Sequence, residues 1–275
     1  MGVVNLSPES NNSHTVAHTA EEAVRMADRY RRHGATVIDV GGQSSHYANQ
    51  TIPASVEIDR LAPAVERLIS DGHHLSIDTW KPEVAAEMVR LGAQMINDTG
   101  GLADPAMVDL VARTGVTAIV MYIEGANPHD VGEVEIAGDK AEVTAQRLGR
   151  RLAELAERGV EDVVVDPGIA INYRGDYEAY TRMQLDVIRS LDTLRRLGRP
   201  ILVPIPRKQE DHRVAAYISL ALENGADMIR VHDVEMACDL ARLFDRDVQG
   251  AARTGRAAMR DPSVGPPPDP SPTAG

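Results

Sequence analysis

A chain of 275 residues is long enough for one α/β barrel of about 250 residues. Its net charge of -12 at pI near 5.2, with no Lys/Arg-rich run, argues against a surface built for nucleic acid or anionic membrane, so an anionic ligand needs a locally positive pocket. The single cysteine, Cys238, excludes an internal disulfide framework and a cysteine-rich metal site.

Eight short apolar runs rich in Val and Ile follow one another along the chain. They are GVVNL (2–6), TVIDVGG (36–42), LSIDT (75–79), MINDT (95–99), TAIVMY (117–122), DVVVDPG (162–168), ILVPIP (201–206) and MIRVHD (228–233). A segment of helical periodicity follows each. In AEEAVRMADRYRRHG, Glu stands near the start, Arg near the end and Gly34 just beyond, which is the charge order that complements a helix dipole. Eight strand–helix units without antiparallel hairpins predict a (β/α)8 TIM barrel, a single domain over residues 1–250. No GxGxxG opens the first helix, against a dinucleotide-binding sheet. Residues 251–275 are too rich in Pro, Gly and small side chains to bury a core and are expected to be a disordered tail. The start MGVVNLSPES has no basic segment ahead of a long apolar one, and nothing later reaches the roughly 20 apolar residues of a membrane span. A cytoplasmic protein is expected.

In such a barrel the C-terminal strand ends carry the chemistry. Here they present Asn5, Asp39 ahead of Gly41-Gly42, Asp78, Asn97-Asp98, Tyr122, Asp166, Arg207-Lys208, and Arg230 with His232-Asp233. Any one of these, taken alone, could cap the next helix. Capping does not account for Asp39 and Arg230, which lie inside strands, where a charge must be paired or bound. The set reads as one site. Gly41-Gly42 is expected to turn where other residues would be strained, with Gln43, Ser44, Ser45 and His46 forming a mobile lid over the mouth. His73-His74 fall at the opposite rim, Trp80 is expected to pack in the third-strand loop, and Glu57, Asp59 and Arg60 read as an ordinary helix start with no catalytic part.

With these stretches in order, from MGVVNLSPES through IDVGGQSS, SIDT, MINDT, VVDPGI and PRK to IRVHDV, the chain resembles the dihydropteroate synthase family of pterin-binding barrels across residues 1–246. The resemblance implies a folate-biosynthesis transferase that joins a (7,8-dihydropterin-6-yl)methyl diphosphate to a small amine, 4-aminobenzoate in the family, and releases diphosphate. It implies that Asp78, Asn97 and Asp166 grip the pterin edge, that Lys208 contacts the ring, and that Arg230 packs on it and reaches the diphosphate. Asn5 matches the family's magnesium ligand and His232 a diphosphate contact, so that Asn5, Lys208, Arg230 and His232 form the implied catalytic set with Mg2+ as cofactor. A homodimer built on outer helices is also implied.

The departures lie in the loops. The family's Asp-Ser-Phe becomes Glu9-Ser10-Asn11, and Ser-Thr-Arg-Pro becomes Ser44-Ser45-His46-Tyr47, which exchanges a permanent charge for a titratable ring. Gly-Phe-Gly-Lys becomes Ala170-Ile171-Asn172-Tyr173, and PRKQEDHR replaces Ser-Arg-Lys-Ser-Phe. Glu9, Ser10, Ser44, Ser45 and His46 are the expected second-substrate loops, and their changes imply an altered acceptor. A non-catalytic pterin-binding paralogue and a methyltetrahydrofolate-dependent methyltransferase are the alternatives. Retention of Arg207-Lys208 and of Arg230 with His232 favours a diphosphate site over the latter.

Overall fold

The structure, a computed structural model, describes residues 1–10, 13–133, 138–171, 173, 175–206 and 210–244. The expected tail, 251–275, lies outside the described residues. The first half alternates β1 (Gly2–Asn5), α1 (Ala20–His33), β2 (Ile38–Gly41), α2 (Ala54–Ser70), β3 (Leu75–Asp78), α3 (Pro82–Arg90), β4 (Met95–Asp98) and α4 (Pro105–Thr114). The second continues with β5 (Thr117–Met121), α5 (Lys140–Glu157), β6 (Val163–Asp166), α6 (Tyr177–Arg189), α7 (Leu191–Arg195), β7 (Leu202–Pro204), α8 (Asp211–Glu223), β8 (Met228–Arg230) and α9 (Val234–Leu243).

Strands β1 to β6 form one parallel sheet in chain order, and β7 pairs with β8. Single bridges close the circle: Val165 meets Ile201 between β6 and β7, and Gly2 meets Val231 beside β8. At that second seam Val3 N donates to Val231 O at 3.1 Å and Val231 N to Met1 O at 3.0 Å. The fold is the expected (β/α)8 barrel. Its helices are stopped locally: Thr19 accepts from Glu22 N at the start of α1, and Gly34, at φ 120°, ends it. Asp104, Asp139, Asp176 and Asp233 cap α4, α5, α6 and α9, which gives Asp233 the structural role that the capping argument allowed for any strand-end acid.

Strands β1 to β7 are buried on both faces over most of their length, and β8 is half-buried, so the runs read as largely continuous apolar stretches. Val4, Val40, Ile77, Ile96, Val120, Val165 and Val203 pack outward in the main core with the helices. Met1, Val37, Met95, Ile119, Val164 and Leu202 form a separate apolar cluster, with Met228 packed against it. Side chains two apart share a face of a strand. One step up from Val37, Met95, Val164 and Met228 on that inner face are Asp39, Asn97, Asp166 and Arg230. The barrel therefore has an apolar floor and a polar layer above it.

Candidate active site

Arg230 organises that polar layer. Its Nε donates to Asp39 Oδ2 at 2.6 Å and its Nη2 to Asp78 Oδ2 at 2.6 Å. Asp39 is fully buried and also accepts from Ser76 Oγ at 2.6 Å and from Asn97 Nδ2 at 3.3 Å. The two in-strand charges singled out in the sequence are thus each other's partners. Parallel register sets Asn5 opposite Gly41, Gly41 opposite Asp78 and Asp78 opposite Asn97, so neighbouring strands deliver their polar ends at one level.

Three carboxylates, Asp39, Asp78 and Asp166, share the field of this one guanidinium. Burial lifts Asp78 from its usual 3.8 to about 7, against the pull of Arg230 and with a further push from Asp39. Burial likewise lifts Asp166 to about 7, although Gly168 N donates to its Oδ1 at 2.7 Å and Arg230 favours its charge. For Arg230 burial opposes the charge, but Asp39 and Asp78 outweigh it and push the pKa up, so the side chain stays cationic. Asp98 is also lifted to about 7 by burial, yet its oxygens take Gly100 N and Leu102 N, which assigns it to the turn after β4. Asn97 leaves its Oδ1 buried with no hydrogen-bond partner among the described residues. An acceptor so placed suits a ligand that brings a donor.

Above this layer lies a cavity of about 310 Å³ lined by Asn5, Ser10, Ser44, Ser45, His46, Asp78, Arg230 and His232. Asn97 and Asp166 are buried in the inner layer that carries Arg230. Lys208 and Arg207, like Asn11 and Asn172, lie outside the described residues. Asn5 Nδ2 donates to Thr15 Oγ1 at 2.9 Å, and Thr15 Oγ1 lies 3.3 Å from His232 Nδ1. That places Asn5 and His232 on the two sides of one buried hydroxyl. Glu9 is turned to Arg60, whose Nη1 donates to Glu9 Oε1 at 2.9 Å and to Gly42 O at 2.9 Å.

Several expectations need correction. Gly41 and Gly42 do not have positive φ. Gly42 is required by space, because a Cβ there would stand 2.9 Å from both Glu57 Cγ and Leu61 Cγ. The following loop, the expected lid, carries contacts of its own, with Ser44 Oγ accepting from Asn49 Nδ2 at 2.8 Å and the His46 and Tyr47 rings stacked 4.7 Å apart. Glu57 and Arg60 are part of the site's support: Glu57, buried on the apolar face of α2 with Leu61, Ala64, Val65 and Leu68, pairs with Lys81 at 2.7 Å. An acid in phase with that apolar stripe was the available signal. Also missed were Tyr173, Tyr177, Tyr180 and Gln184, which wall the cavity from the β6–α6 side. Tyr180 OH donates to Ile171 O at 2.8 Å, and burial pushes Tyr173 up to about 12 and raises Tyr180 as well, so those two phenols stay neutral.

Fold and site together define a barrel enzyme that carries its binding groups on the C-terminal strand ends, around the buried Arg230 cation. The family model for pterin binding enzymes matches residues 1–232, and the chain belongs to that family. The dihydropteroate synthase of Synechocystis sp. is 29% identical over 262 residues, covering 89% of this chain and 88% of that protein. The crystal structure of dihydropteroate synthase from Thermus thermophilus in complex with 4-aminobenzoate is similar at 31% identity and a TM-score of 0.71, over 89% of this chain and 92% of that one. The Burkholderia cenocepacia dihydropteroate synthase complexed with 7,8-dihydropteroate gives 29% identity and a TM-score of 0.75, over 89% of each chain. The chain is a dihydropteroate-synthase-like transferase, and these relatives do not favour the paralogue or methyltransferase alternatives. No helix among the described residues is long and apolar enough to cross a membrane.

Proposed function

We propose that the chain transfers a (7,8-dihydropterin-6-yl)methyl group from its diphosphate to a small amine, with 4-aminobenzoate as the acceptor to test, in cytoplasmic folate biosynthesis. The observation that carries this reading is the polar layer itself: Asp78 and Asp166 beside Arg230, with the buried Asn97 Oδ1 unpartnered among the described residues. A pterin edge offers N–H donors to Asp166, Asp78 and Asn97 Oδ1, while the flat ring faces apolar surface. Lys208 is assigned to the same ring by its place in the PRK motif. Arg230 and His232 then face the diphosphate, whose oxygens gain charge as the C–O bond breaks.

The bond electrons leave with diphosphate, the pterin delocalises the methylene cation, and the amine nitrogen closes the new C–N bond before giving up a proton. Positioning and charge neutralisation account for the step without a nucleophilic side chain. Magnesium fits the donor set: Asn5 has its Nδ2 engaged by Thr15, which leaves Oδ1 as a neutral oxygen ligand on the cavity wall. Among the described residues no cluster of His, Cys, Asp or Glu competes for the ion, and a cation that keeps several waters suits one amide oxygen plus diphosphate. Bound there, magnesium would neutralise the leaving group's charge.

The test is diphosphate release from 6-hydroxymethyl-7,8-dihydropterin diphosphate with and without 4-aminobenzoate, at several magnesium concentrations. Release that depends on the amine and rises with magnesium, with dihydropteroate formed in equal amount, is expected; no release with any arylamine tested would defeat the reading. The altered loops lead us to expect a rate below that of an efficient enzyme, whose kcat/KM lies at about 10⁴–10⁸ M⁻¹s⁻¹. A homodimer packed through the outer helices belongs to the same proposal, resting on the family resemblance. Sedimentation velocity should then give twice the chain mass, and a single-chain mass at micromolar concentration would remove it.

A further inference from the structure

The Gly42–Ile52 segment brings Ser44, Ser45 and His46 to the cavity, and two side chains outside the cavity lining hold it there. At its neck, Lys81 Nζ donates to Gln43 Oε1 at 2.5 Å, to Ile52 O at 2.6 Å and to Glu57 Oε2 at 2.7 Å. Ile52 N donates to the same Gln43 Oε1 at 3.1 Å. One ammonium thus joins both ends of the loop, and a buried carboxylate matches its charge. Along the flank, His129, from the β5–α5 connection, bridges the loop with both ring nitrogens: Nε2 lies 2.8 Å from Ser44 O and Nδ1 2.8 Å from Thr51 Oγ1. A carbonyl only accepts, so Nε2 carries a proton, and in the neutral ring Nδ1 takes the Thr51 hydroxyl. Trp80 lies between the two tethers, 5.1 Å edge-on from His129 and with Lys81 Nζ 5.7 Å from its ring centre.

Ser44 is the shared point. Its carbonyl is fixed by His129, and its hydroxyl accepts from Asn49 Nδ2 and from His46 N. Asn49 Nδ2 in turn reaches Glu9 O at 3.5 Å, which links this loop to the first one. The pterin groups, in contrast, stand on strands and need no such bracing. We propose that Lys81 and His129 are positioning residues that set the acceptor side of the site by clamping the Gly42–Ile52 loop at its neck and flank. The acceptor half of this inference rests on the transferase reading above.

The test uses the full chain with 6-hydroxymethyl-7,8-dihydropterin diphosphate as donor and 4-aminobenzoate as acceptor. His129→Ala removes no buried charge and is expected to raise the acceptor KM about tenfold with donor affinity unchanged, on the order of one lost hydrogen bond. His129→Gln, whose amide can donate to Ser44 O and accept from Thr51, should restore most of it. Lys81→Met combined with Glu57→Gln opens the neck without stranding a charge and should act in the same direction. Amide exchange over residues 43–52 and the emission of Trp80, the only tryptophan, report the tether without turnover. Unchanged exchange in His129→Ala overturns the clamp; faster exchange with an unchanged acceptor KM overturns the positioning role; an equal loss of donor affinity shows a general structural role and overturns it too. Should the wild-type chain release no diphosphate, the transferase reading and the acceptor half fall together, while exchange still decides the clamp.

Discussion

Exchange of Arg230 for methionine is expected to cost about 3–5 kcal/mol of folding stability, the range for breaking a buried ion pair from one side. Methionine fills much of the same space but offers no donor. Asp39, with no exposure, would keep, among the described residues, the bonds from Ser76 and Asn97, and Asp78 would lose the Arg230 cation. The penalty is chiefly that of stranding Asp39. Pairing Arg230→Met with Asp39→Asn should therefore recover a large part of the loss, since a neutral amide needs no counterion. Binding behaves differently. Both the single and the double variant should lose pterin diphosphate affinity, because the cation that faces the diphosphate is gone in each. Urea unfolding of the four corners of this cycle, with calorimetry of the diphosphate ligand, separates the two effects. A loss below about 1 kcal/mol in the single variant would mean that Arg230 is not the partner Asp39 depends on.

The contrast between what local pattern reveals and what it hides is clearest around this arginine. The strands were visible because a short apolar run needs no partner to be recognised, and the polar ends stood out against it. The inner-face spacing that sets Asp39 two residues after Val37, and Arg230 two after Met228, is also local. That Asp39 and Arg230 pair is not local: 191 residues separate them, and only barrel closure brings them together. The loop supports were hidden for the same reason. Lys81 and His129 sit in short connections with no period, and their partners lie 24 to 85 residues away. Gly42 looked like a turn glycine, but the constraint comes from Glu57 and Leu61 of the next helix. Tyr173 precedes α6 and Tyr177 and Tyr180 lie on it, and their place on the cavity wall is set only by how α6 packs against the barrel.

Asp166→Asn should make the ligand-free protein more stable and the pterin complex weaker. Burial lifts Asp166 from 3.8 to about 7, so its neutral form is the one the fold prefers. The stability this contributes is fully present below pH 3.8 and is lost as pH rises through about 7, where the buried carboxyl must ionise. Asparagine never ionises and can still accept from Gly168 N, the one hydrogen bond the wild-type side chain has to its own turn. At about 1.4 kcal/mol per pKa unit, the variant should gain on the order of 2–4 kcal/mol at pH 8, with the gain shrinking toward zero near pH 4. Arg230 nearby favours the charged form, and that pull is already contained in the value of about 7. Pterin binding at pH 8 should weaken by about 1–3 kcal/mol, since a carboxylate accepts two N–H donors where the amide offers one oxygen and an opposing N–H. Urea midpoints at pH 5 and pH 8, with calorimetry of a pterin at pH 8, give both numbers. A variant that is less stable than wild type at pH 8 would show that Asp166 is held as a carboxylate without ligand, and the acid that pairs with the pterin edge would then have to be Asp78, whose carboxyl is the other one lifted to about 7 beside Arg230.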